Sequence, residues 1–133
     1  MMRTSYQSQI DQIKEAAEAD LLTFIQLVAP KRALGNIHKE LISWWCREDA
    51  KTHQLVLLPR GHQKSTIIAY RVAWEITKNP AITILYLSAT AGLAEAQLSL
   101  IKTILDSDIY RRYWPEMLDK DEGRRTKWSM SEI

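Results

Sequence analysis

A single cysteine, Cys46, rules out an intramolecular disulfide framework and suits a reducing compartment. No apolar run approaches the ~20 residues that a membrane-spanning helix requires. The opening stretch MMRTSYQSQIDQIKE lacks the apolar core of a secretory signal. The formal net charge is +2, too small a surplus to argue for a nucleic-acid partner on its own. His38, His53, His62 and Cys46 do not fall at metal-ligand spacing. No internal repeat and no low-complexity segment is found. These absences leave a soluble, intracellular globular protein as the expectation.

What is present is ordinary in bulk and uneven along the chain. With 133 residues, 46% apolar and 26% charged, the length suits one domain with a proper core. Ile10, Ile13, Ala17, Leu21, Phe24 and Val28 repeat at intervals of three and four, which predicts a helical stripe over 8–28. A break near Asp20 fits the pattern, and the helix must stop by Pro30. PKRALGN reads as a loop, with Asn36 expected to cap a second helix through Cys46 on the apolar face Ile37, Leu41 and Trp45. QLVLL (54–58) and AITILYLSA (81–89) are short, apolar and without helical spacing, so both are expected to be buried strands with slowly exchanging amides. Helices are expected over 65–78, ended by Asn79-Pro80, and over 91–105 on Ala94, Leu98, Ile101 and Leu105. Strand, helix, strand, helix with short connections implies a parallel sheet. The expected organisation is a helical segment over 1–50 and the first part of an α/β domain over 51–133.

Glycine is scarce, four in the whole chain, and the scarcity matters most in LLPRGHQKST (57–66). A phosphate loop of the form GxxxxGK[ST] works by turning backbone N–H groups and a helix N-terminus toward the anion. Here a Lys-Ser pair follows an apolar run and precedes a helical stretch, yet the position before Lys64 is Gln63 and the one glycine is Gly61. A left-handed backbone at Gln63 would cost ~1–2 kcal/mol because of its Cβ. On residue types alone, a basic surface loop competes with a phosphate site.

Residues 20–133 resemble the N-terminal ATPase region of tailed-phage large terminase subunits. The resemblance lies in DLLTFIQLVAP, GNIHKELISWW, PRGHQKST and ILYLSATAGLAEAQLSLIKTIL, and in RYWPEM with RRTKWSMSEI. That family carries a deviant phosphate loop, R-x-x-x-K-[ST], which Arg60, Lys64 and Ser65 fit. The resemblance implies a partial P-loop NTPase sheet of the ASCE type behind an N-terminal helical segment, with ATP and Mg²⁺ as cofactors. It implies that Lys64 contacts the β/γ-phosphates and that Ser65 ligates Mg²⁺. Gly61, His62 and Gln63 would offer backbone N–H groups, Thr66 would complete the stretch, and Arg60 would serve as an arginine finger. A structural ion pair is the competing role for Arg60. The family reads adenine with a glutamine near the second helix, and His38 stands nearest that position here. The implied partners are double-stranded DNA, the portal, a small terminase subunit and further copies of the chain. The implied location is the host cytoplasm and, transiently, the portal vertex of the procapsid.

Other residues divide between functional and structural roles. Ser88-Ala89-Thr90 resembles a segment coupling nucleotide state to DNA, and serves equally as a cap for the helix from 91. Trp44 and Trp45, adjacent on a helix, cannot share a face, so packing is favoured over a base-stacking platform. Arg111-Arg112 and Arg124-Arg125-Lys127 are candidate DNA-backbone contacts, with a solvated face as the alternative. No apolar strand ending in Asp follows Lys64, since IKTILDSD (101–108) has helical spacing. The cluster of metal-binding acids of a nuclease domain is also missing. The chain is therefore expected to be the front piece of a longer motor, with negligible ATP turnover alone. Two alternatives remain: a binding module that turns over no nucleotide, and a fragment of a helicase-like P-loop ATPase.

Overall fold

The computed structural model describes residues 5–47, 49–59, 61 and 63–117. Among these residues the regular structure is all helical: α1 (Ser5–Ala19), α2 (Leu21–Val28), α3 (Asn36–Trp45), α4 (Lys64–Lys78), α5 (Ala91–Leu105) and α6 (Asp108–Tyr113). The chain divides into two compact units, Met1–Lys64 and Ser65–Ile133.

In the first unit the stripe over 8–28 is split by Asp20. Its backbone is extended, and its carboxylate accepts from the Thr23 N–H at 3.2 Å and the Thr23 hydroxyl at 2.7 Å, so it caps α2. α2 stops two residues short of Pro30, whose ring nitrogen has no hydrogen to donate. Leu21, Phe24, Ile25 and Val28 of α2 are buried with Ala17 of α1 and Ile42 of α3. Each fully buried side chain of this size contributes about 1.5–3 kcal/mol. The cap of α3 falls on Gly35 and not on the expected Asn36, which is the first helical residue. Sequence spacing pointed to a side-chain cap in front of the helix, but His38 reaches back from inside it. Its Nδ1 accepts from the Gly35 N–H at 2.9 Å.

In the second unit α4 buries Ile67, Ala69, Tyr70, Ala73 and Trp74, while α5 buries Ile101, Ile104 and Leu105. Asn79 ends α4 in a turn with Pro80 and Ala81, closed by the Ile82 N–H on the Asn79 carbonyl at 3.0 Å. Thr90 caps α5, its hydroxyl accepting from the Leu93 N–H at 3.2 Å. Ser107 starts α6, a helix too short to leave a periodic signal in the sequence. Tyr110 and Trp114 stack there with ring centroids 5.1 Å apart, and the Tyr110 hydroxyl lies 2.7 Å from that of Thr77 on α4.

The expected α/β architecture is overturned. No strand is present among the described residues, so there is no parallel P-loop sheet behind the helices. Residues 54–59 and 82–88 carry no regular structure, and far from being buried they expose Leu55, Leu57, Leu85 and Leu87 at 77%, 79%, 80% and 79%. A run of β-branched and aliphatic residues signals a taste for extended backbone and for burial. It does not supply the neighbouring strand whose hydrogen bonds would make a ladder.

Candidate functional site

The Lys-Ser turn sits where α4 begins. Arg60 and His62 lie outside the described residues, so their expected roles as finger and cradle have no geometry here. Gly61 is left-handed at φ +81°, and a Cβ built on it would meet nothing within 4 Å, so glycine is favoured there for its backbone alone. Gln63 is left-handed too, at φ +57°, alone among the described non-glycine residues. This is the position that a glycine fills in the common phosphate-loop pattern.

The strain of about 1–2 kcal/mol at Gln63 is opposed by what its side chain does. Arg32 Nη1 donates to Oε1 at 2.9 Å, and Nε2 donates to the Ala33 carbonyl at 2.9 Å. Two such bonds contribute about 0.5–1.5 kcal/mol each, enough to balance the backbone cost. The loop before α3 thus holds Gln63 by both ends of its amide. Neither Arg32 nor Ala33 carries a motif that would single it out in sequence.

Lys64 is the first residue of α4 and Ser65 the second. The first turn of a helix presents N–H groups without intrahelical acceptors and the positive end of the helix dipole. Helices usually place acids there, yet α4 has none in its first turn and offers a lysine. No described carboxylate pairs with Lys64. A cation at this end is unfavourable by about 0.3–1 kcal/mol, and an anion bound at the turn would reverse the sign. Ser65 is exposed and Thr66 half-buried. In the second unit the Ser65 carbonyl accepts from Nε2 of Gln97 on α5 at 2.6 Å. Gln97 was missed in the sequence, although it is a polar residue on the apolar stripe of Ala94, Leu98 and Ile101.

No group of three or more His, Cys, Asp or Glu side chains among the described residues is arranged to hold a metal ion. His38 is buried with Nδ1 committed to the Gly35 N–H. Thr90 acts as a cap, which satisfies the structural half of its reading. Trp44 is exposed and Trp45 half-buried. Arg111 pairs with Asp106, Arg112 is exposed, and Arg124, Arg125 and Lys127 lie outside the described residues. No described helix is long and apolar enough to cross a membrane. No protein-family model, no curated protein and no solved structure matches the chain.

Proposed function

We propose that the turn from Gly61 to Thr66 takes the phosphates of Mg-ATP, and that the chain serves as the nucleotide-binding part of a DNA-packaging ATPase of the large-terminase kind. The observation that carries the reading is Gln63, held left-handed directly before a lysine that opens a helix. Backbone strain of this sort collects at ligand-binding turns. The reading stands on the turn and on the sequence resemblance, not on a sheet. Lys64 neutralises phosphate charge, Ser65 meets the Mg²⁺ carried by the nucleotide, and the N–H groups at the start of α4 point at the anion. Double-stranded DNA, the portal, a small terminase subunit and further copies of this chain are the partners that go with it.

Titration with Mg-ATP tests the reading. Saturable binding that weakens at least about tenfold in Lys64→Ala is expected, a loss of about 1.4 kcal/mol. Absence of binding, or equal binding by Lys64→Ala, would refute it. A second reading draws on the exposed Leu55, Leu57, Leu85 and Leu87. It makes the chain a surface module for another protein that turns over no nucleotide, and under it the titration shows no Lys64-dependent binding.

A further inference from the structure

The run ITILYL (82–87) has no charge, no proline and no glycine, and Ile82, Thr83, Ile84 and Tyr86 in it are β-branched or aromatic. No charged residue occurs anywhere between Lys78 and Glu95. Sheet edges are ordinarily kept apart by lysine, by proline or by inward-pointing charges, and here the one such guard is Pro80, ahead of the run. Side-chain exposure alternates along it. Leu85 and Leu87 are 80% and 79% exposed, whereas Ile84 is 42% exposed and Tyr86 is half-buried. A period of two is how a strand presents its side chains. From Thr83 to Ser88 no backbone N–H or carbonyl has a hydrogen-bond partner among the described residues. The apolar run at 55–58 is shorter and is closed by Pro59, which cannot donate to a ladder.

We propose that 82–87 is a homotypic pairing segment, whose occupant is the same run of a second copy of this chain in an antiparallel ladder. Two identical uncharged runs bring no like charges together, and backbone groups left open in the single chain find partners. In the register centred on Tyr86, Leu85 of each copy stands opposite Leu87 of the other, so one face of the ladder collects all the leucines. A six-residue segment of high β-propensity without charge or proline is also the composition that pairs with itself in cross-β assemblies. A two-stranded ladder alone is marginal, so pairing depends on concentration and the dilute chain keeps the run open. Nucleotide binding plays no part in it.

The test follows the full chain by sedimentation velocity from about 1 µM to about 1 mM, the range in which open strand edges associate. The parent is expected to pass from monomer to dimer or larger species, with the amides of 83–88 gaining protection from hydrogen exchange as it does. Leu85→Lys sets a charge among the leucines and should raise the midpoint concentration at least about tenfold. Leu57→Lys makes the same change in the other leucine-bearing run and should associate as the parent does. Both leucines are exposed, and circular dichroism checks that the helices are kept. If Leu85→Lys loses helix, Leu87→Lys carries the same expectation. A parent that stays monomeric up to about 1 mM overturns the pairing and leaves the run to a strand of a different protein. Association of the position-85 or position-87 variant at the parental midpoint, or an equal loss in Leu57→Lys, overturns it as well. So does association that brings no protection at 83–88.

Discussion

Gln63 brings the largest local cost and its offset into one residue. Replacing it by alanine or by glycine removes the same two side-chain bonds to Arg32 and Ala33. The two variants then differ in the left-handed backbone, which disfavours alanine by about 1–2 kcal/mol, and in unfolded-chain entropy, which disfavours glycine by about 0.5–1 kcal/mol. The glycine variant should therefore be the more stable of the two, by up to about 1.5 kcal/mol in denaturant unfolding. Alanine equal to or better than glycine would mean that residue 63 is not left-handed in solution. The sequence made the problem at this residue visible, because a glutamine stood where glycine is common. It did not show the solution, which lies thirty residues upstream in a loop with no motif.

Among the elements, the helices were the legible part. The spacings in 8–28, the stop at Asn79-Pro80 and the stripe from Ala94 to Leu105 each led to a helix at the expected place, because a helix satisfies its own backbone. The two strand expectations failed because a strand depends on a neighbour that a single stretch of sequence cannot specify. The caps decide where several helices start, and two of them invite comparison. Asp20 makes two bonds to Thr23 and lies between α1 and α2, whereas Thr90 makes one to Leu93. Asp20→Ala and Thr90→Ala should each lower stability, by about 0.5–2 kcal/mol, with Asp20→Ala the larger loss in thermal unfolding. The opposite order would show that α5 depends on its first turn more than α2 does.

Taken over the whole molecule, protection should follow the helices and not the apolar runs. Amides in α2, and in α4 from Ile68 to Thr77, lie in helices that bury one face, while residues 55–58 and 83–87 have backbone outside any helix or ladder. Hydrogen exchange should thus be slow in the helices and close to that of free peptide in the two leucine-bearing runs. Strong protection at 55–58 or 83–87 would mean that those runs are paired in solution. The exposure of Leu85 and Leu87 has one more consequence, for a protease that cuts after large aliphatic or aromatic residues. The segment is accessible and free of helix, which is the form a protease cleft accepts. A nick there would divide the second unit into a piece carrying α4 and a piece carrying α5 and α6. The Gln97 amide on Ser65 and the paired hydroxyls of Thr77 and Tyr110 are hydrogen bonds that would span the cut.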